Sequence, residues 1–287
     1  MHDNFYSKYS AEIDRFIKQS LQEDIETGDH SSSSCLDGDK TETANLLVKE
    51  SCVVAGISLA EKIFKKFDPE LVVEKHFGEG TELDKGEIVF SVTGKVKSIL
   101  ATERLALNCM QRMSGIASLT KSLTDKIVHT HCKILDTRKT TPCFRYPEKW
   151  AVVIGGGHNH RMGLFDAIMI KDNHLDFCGG MKKTLEKTKE YLEKNMLDIP
   201  VIVEVRNQKE IMETLDFSWI KRIILDNMNL EELIKSIKLI DGHFPTEASG
   251  NITAKNLVQI AETGVDFISM GALTHSARNI DLSLKAL

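Results

Sequence analysis

From residue 133 onward, short apolar runs alternate with amphipathic stretches. KILD, AIMIK, VIVEV, RIILD, TEAS and DFISM have the length and composition of strands, and MKKTLEKTKEYLEK, LEELIKSIKLI and AKNLVQIAET carry helical periodicity between them. Repeated β-α alternation predicts a parallel sheet, either closed as a barrel or open and doubly wound. The N-terminal part reads differently. Residues 11–23 place Ile13, Phe16, Ile17 and Leu21 at helical spacing, with Ser10 as the expected N-cap. EDIETGDHSSSS predicts a loop from its Gly, Asp and Ser content. Strands are expected at 44–50 and 71–77 around the helix SLAEKIFKKF. GTELDKGEIVFSVTGKVKSIL reads as short β segments between glycine turns. Residues 1–100 are thus expected to form a small α+β unit, with a long helix from about Ala101 to His129 joining the two parts.

Composition narrows the function classes. A chain of 287 residues suits two domains, or one large α/β barrel with an added piece. The net charge of −5 gives the molecule as a whole no electrostatic case for nucleic acid, so a local cationic cluster becomes informative. The six cysteines form no C-x-x-C pair, which predicts reduced thiols and a cytoplasmic setting. No run has the length of a membrane span, and MHDNFYSKYS has no apolar signal-like region, so neither a membrane partner nor a signal peptide is expected.

The strand ends carry the chemistry. They run into DTRK, KDNH, EVRN, LDNM, EASGN and MGALTH. In β/α barrels the C-terminal strand ends form the active-site mouth. Arg138, Lys139, Arg161 and Lys171 would repel one another around such a mouth, so they call for a small, multiply anionic ligand. Glu204 and Asp226 are placed to pair with the lysines or to hold Mg²⁺ through water. Ser249, Gly250 and Asn251, then Gly271 and Ala272, follow consecutive late strands, where barrels build phosphate sites from backbone N–H groups.

GGGHNHR, residues 155–161, is open to three readings: a phosphate cradle, the H-x-H half of a metal site, or part of an anion pocket. The dinucleotide fingerprint needs glycine where His160 stands, and no P-loop is present. A metal-dependent hydrolase using His158 and His160 is opposed by the neighbouring cations. The favoured reading has the histidines donating to an anion and the glycines bringing the chain close to the barrel mouth.

Six segments together resemble one family: LQEDIETGDHSS, ATERLALNCMQRMSGIASLT, ILDTRKTTP, GGGHNHRMGLFDAIMIKDNH, LDNM and EASGNITAKN with AETGVDFISMGALTHSA. The chain resembles quinolinate phosphoribosyltransferase, also called nicotinate-nucleotide pyrophosphorylase (carboxylating). The resemblance implies an N-terminal α/β sandwich, expected over 1–112, and an open, incomplete α/β barrel carrying catalysis over 113–287. It implies conversion of quinolinate and phosphoribosyl pyrophosphate, with Mg²⁺, into nicotinate mononucleotide, carbon dioxide and pyrophosphate in de novo NAD synthesis. No organic cofactor is implied. It also implies at least a homodimer, with Arg104 reaching the neighbour's quinolinate.

By the same resemblance, Arg138, His160 and Arg161 hold the two quinolinate carboxylates, with Thr137 in the binding set. Lys139 and Lys171 lie between the substrates, Glu204 and Asp226 face ribose and metal, and Ser249, Gly250, Asn251, Gly271, Ala272 and Leu273 line the phosphate site with His275 nearby. Three positions depart from the family: Ile202 stands where many members have a second acid, and Asn251 and Cys143 stand where glycine is common. The competing readings are a related barrel such as the paralogue associated with molybdate transport, a non-catalytic sensor of phosphoribosyl ligands, and the metal hydrolase.

Overall fold

The computed structural model describes residues 3–36 and 40–287. The chain forms two compact units, one made of Met1–Ser122, Lys139–Gly157 and Leu273–Leu287, the other of Leu123–Arg138 and His158–Ala272.

The first unit contains strands β1 (Thr41–Val48), β2 (Cys52–Val53), β3 (Val72–Lys75), β4 (Glu82–Leu83) and β5 (Ile88–Lys95). Its main sheet is antiparallel in the order β12-β1-β5-β3, where β12 is the C-terminal segment Leu282–Ala286. Leu46, Val48, Phe90 and Val92 alternate inward and meet Ile57, Ala60 and Phe64 of the helix Ile57–Phe67, whose apolar residues repeat at helical spacing. That helix is held at its N-terminus by Glu79, whose two carboxylate oxygens accept from the Gly56 and Ser58 N–H groups at 2.8 Å each.

Several expectations change here. The first helix spans Asp3–Ile25 and breaks at Tyr9 (φ −125°, ψ 28°), so Ser10 follows a kink instead of capping a start. The serine run is helical over His30–Cys35, because the Asp29 carboxylate accepts from the Ser32 N–H and caps it. The long helix is Val96–Thr124, so KSIL belongs to it and not to a β segment; a 3₁₀ turn at Asp125–Ile127 ends it before His129. The helix Arg145–Ile154 and strand β12 were not anticipated.

The second unit holds β6 (Lys133–Leu135), β7 (Ile168–Ile170), β8 (Val201–Val205), β9 (Arg222–Asp226), β10 (Thr246–Ser249) and β11 (Phe267–Ser269). All six expected strands are present, and they form one parallel sheet in the order β6-β11-β10-β9-β8-β7. Among the described residues β6 and β7 do not pair, so the barrel is open. Helices Met181–Lys194, Gln208–Leu215, Leu230–Ile240 and Leu257–Ala261 intervene between strands, the last shorter than AKNLVQIAET predicts. Strands covered on both faces read as continuous apolar runs, and every residue of VIVEV, including Glu204, is buried.

Candidate active site

Because every strand of the second unit points the same way, their C-terminal ends share one edge of the sheet. Lys171 follows β7 directly beside Glu204 of β8, where Ile170 is paired with Val203. Its Nζ lies 2.7 Å from Glu204 Oε2. Burial pushes the Glu204 carboxyl up, Lys171 opposes that, and Asp226 and Asp172 push it further up. The Lys171 backbone N–H donates to His174 Nδ1 at 3.0 Å, which fixes the start of the KDNH turn.

Asp226 ends β9 opposite Ser249 of β10. Between these ends, Asn227 (φ +54°) donates to Asp226 Oδ2 at 2.8 Å and accepts from Asn251 Nδ2 at 3.0 Å. Gly250 (φ +93°) lies so close to the Asn227 side chain that a Cβ would collide with it. Asn251 has φ +53°, a left-handed backbone that the glycine expected from the family resemblance adopts freely and that asparagine tolerates. Cys143 also takes positive φ (+63°), which suits the glycine expected there, and nothing in the structure explains the cysteine. Ile202 is buried on the strand that carries Glu204 and supplies no oxygen. Gly271 and Ala272 follow β11, whose end is tied to β6 by Met270 N–H donating to the Leu135 carbonyl at 2.9 Å.

At the end of β6, the HNHR segment runs alongside the strand. Leu135 and His158 form a parallel bridge, and the His158 N–H donates to the Ile134 carbonyl at 2.9 Å. The fully buried Asp136 clamps the segment, accepting from the His160 N–H at 2.8 Å and from Asn159 Nδ2 at 2.6 Å. Arg161 Nη1 donates to the Ala167 carbonyl at 2.9 Å, while its buried Nε has no acceptor among the described residues. Burial and the nearby Arg138 both push the Arg161 guanidinium below its ordinary value, with Asp166 partly compensating. Arg138 itself is exposed and Thr137 half-buried. A buried donor without an acceptor among the described residues, beside a second guanidinium, has the chemistry to receive an anion.

Gly155 and Gly157 of GGGHNHR belong to the first unit. They pack on the helix Val96–Thr124, where a Cβ on Gly155 would press into the Ala117 carbonyl and lie 2.7 Å from Thr120 Cβ. His160 lies inside the second unit. It is buried, its Nδ1 accepts from the Arg161 N–H at 2.7 Å, and its Nε2 lies 3.4 Å from Glu247 Oε2. His158 is exposed while His160 is enclosed, so the H-x-H pair does not converge on one ion.

The remaining expected residues lie in the first unit. Arg104 is exposed on the helix Val96–Thr124. Lys139 is exposed, and its carbonyl accepts from Thr274 Oγ1 at 2.9 Å. Leu273 is buried, and the exposed His275 has its Nδ1 2.7 Å from Ser276 Oγ. Sequence reasoning missed Arg112, which pairs with the fully buried Glu148 at 3.0 Å and also donates to the Thr274 and Ala277 carbonyls. It also missed Asp136, Arg222 and Glu247, although DTRK and TEAS each contain one of them. The signal was a charged residue within or at the end of a short strand.

Comparisons with known proteins place the chain as a whole. The models of the quinolinate phosphoribosyl transferase N-terminal and C-terminal domains match residues 29–114 and 116–285. A mitochondrial quinolinate phosphoribosyltransferase (decarboxylating) 2b of Nicotiana tabacum is 44% identical over 289 residues, covering 96% of this chain and 82% of that one. A chloroplastic nicotinate-nucleotide pyrophosphorylase (carboxylating) of Arabidopsis thaliana is 44% identical over 284 residues, covering 94% and 81%. The crystal structure of NadC from Streptococcus pyogenes superposes with a TM-score of 0.89 at 37% identity, covering 96% of this chain and 97% of that one. With both domain models matched in order and relatives similar along nearly the whole chain, this protein belongs to the quinolinate phosphoribosyltransferase family.

Proposed function

We propose that this chain catalyses decarboxylating phosphoribosyl transfer in de novo NAD synthesis, joining quinolinate to the ribosyl group of phosphoribosyl pyrophosphate. The observation that carries the substrate assignment is the buried Nε of Arg161, without an acceptor among the described residues, beside Arg138. Two guanidiniums suit a planar dicarboxylate, each through its fork of donors. The turn made by Ser249, Gly250 and Asn251, with Gly271 and Ala272 on the next strand, supplies the phosphate end, and Leu273 and His275 continue it in sequence.

The chemistry then needs no covalent enzyme nucleophile. The quinolinate ring nitrogen bonds to ribose C1 as the bond from C1 to pyrophosphate breaks, and pyrophosphate leaves with that electron pair. Glu204 and Asp226 stabilise the positive charge that develops on the ribose ring. Lys171 and Lys139 neutralise the charged groups of both substrates and hold them together. The ring is now a pyridinium, so it accepts the electron pair when the adjacent carboxylate departs as carbon dioxide, and a proton replaces that carboxylate.

Magnesium fits this donor set. Glu204 commits one oxygen to Lys171 and Asp226 one oxygen to Asn227, and the second carboxylate oxygen of each is a hard donor suited to a hydrated ion. The ion would supply charge neutralisation on the pyrophosphate. We also place the enzyme in a homodimer that uses the exposed Arg104 across subunits, and in the cytoplasm, in keeping with six free cysteines. No helix among the described residues is long and apolar enough to cross a membrane.

The test is an assay with quinolinate, phosphoribosyl pyrophosphate and Mg²⁺ that detects nicotinate mononucleotide and pyrophosphate. Arg138→Ala and Arg161→Ala should each cut kcat/KM for quinolinate by roughly 10- to 100-fold, the loss of one charge-assisted contact, without unfolding the protein. Unchanged turnover in both variants would sink the dicarboxylate assignment. Equal use of nicotinate would show that the second carboxylate is not read.

A further inference from the structure

We propose that Glu247 is a positioning residue for Arg161, acting through His160; the proposal rests on the reading of Arg161 as a quinolinate-binding cation. Glu247 lies in β10 and is 1% exposed. Its Oε2 is 2.8 Å from Arg222 Nη1 and 3.4 Å from His160 Nε2. Arg222 is itself fixed, with its guanidinium 4.0 Å from the centroid of the Phe267 ring.

The hydrogen bonds of His160 depend on which ring nitrogen carries the proton. The Arg161 N–H donates to Nδ1 at 2.7 Å, so Nδ1 bears no hydrogen in this arrangement. A neutral ring then carries its proton on Nε2, the atom that faces Glu247. Burial alone would raise the Glu247 carboxyl, but the His160 ring and Arg222 outweigh it and hold the carboxyl below its ordinary value. The buried carboxylate therefore favours the one tautomer that leaves Nδ1 able to accept from Arg161. Asp136 grips the same residue by its backbone, so His160 is fixed at both ends. Lys171 is held in the same manner, by its N–H donating to His174 Nδ1 at 3.0 Å. In both places a histidine fixes the backbone of a site cation.

Without Glu247, the ring loses its reason to keep Nδ1 bare, and the Arg161 N–H loses a reliable acceptor. The guanidinium should then meet the substrate in a spread of positions. Glu247→Ala should raise KM for quinolinate roughly 10-fold or more, while kcat and KM for phosphoribosyl pyrophosphate stay within about 3-fold. Glu247→Gln keeps an acceptor oxygen and should recover most of that loss. In wild-type protein labelled with ¹⁵N-histidine, the His160 resonances, assigned with His160→Gln, should show the proton on Nε2 at neutral pH. An unchanged KM for quinolinate in folded Glu247→Ala, or equal rises for both substrates, would overturn the proposal. So would a proton on Nδ1 in the wild type, a readout that stands even if the alanine variant does not fold. Failure of the wild type to use quinolinate would instead remove the functional reading and leave the tautomer result intact.

Discussion

Replacing Lys171 by methionine keeps the aliphatic stem and removes only the ammonium. That group lies 2.7 Å from Glu204 Oε2, and the two side chains are 44% and 10% exposed. Unit charges at this separation attract by roughly 6 kcal/mol at an effective dielectric constant of about 20. Solvent around the half-exposed lysine screens much of this, and an exposed pair is worth about 1 kcal/mol at most. The carboxylate is the buried partner, and stranding a buried charge costs about 3–5 kcal/mol. A net loss of about 2 kcal/mol lies between these limits.

The sign with pH follows from the groups around Glu204. Once Lys171 is gone, burial, Asp226 and Asp172 all push the carboxyl up. A raised folded-state value means that the folded protein binds the proton more tightly than the unfolded chain, so stability falls as pH rises. Wild type and variant should match at low pH, where Glu204 is protonated in both. They should diverge as pH rises through the wild-type value and reach a plateau above the higher value of the variant. Calorimetry should give a Tm difference of about 4–8 °C on the high-pH plateau and close to none at low pH, where Glu204 is protonated in both. An equal loss at both pH values, or no loss at the higher one, would refute the view that Lys171 neutralises a buried carboxylate.

Two further outcomes are expected. Gly155→Ala should lower stability by about 1–3 kcal/mol, because its Cβ would meet the Ala117 carbonyl and Thr120; Gly78→Ala, with no atom within 4 Å of the added carbon, should leave Tm nearly unchanged in the same melt. Arg112→Met should cost about 3–5 kcal/mol by stranding the fully buried Glu148, and adding Glu148→Gln should restore part of that loss in a double-mutant cycle.

The alternation of apolar runs and amphipathic stretches was enough to locate all six strands of the parallel sheet, because a strand covered on both faces must be continuously apolar. The chemistry at the strand ends was equally legible. Parallel strands present their C-terminal ends on one edge, so polar residues after successive strands converge whatever the details of packing. Departures from the family pattern were visible too, but their backbone conformation was not. Only the backbone shows that Cys143 and Asn251 both take positive φ.

What the sequence could not supply were approaches between segments far apart along the chain. LSLKA looks like an ordinary tail, yet it pairs with β1 from Ala44↔Ala286 to Val48↔Leu282. The glycines of GGGHNHR answer to Ala117 and Thr120 on a helix, and its first histidine to the edge of β6. Glu247 and His160 carry no mark of each other, yet they meet inside the second unit, where the Arg161 N–H donates to His160 Nδ1. Periodicity is a local property and is written residue by residue. Which side chains close on one another depends on register, curvature and the space a missing Cβ leaves, and these exist only once the chain has packed.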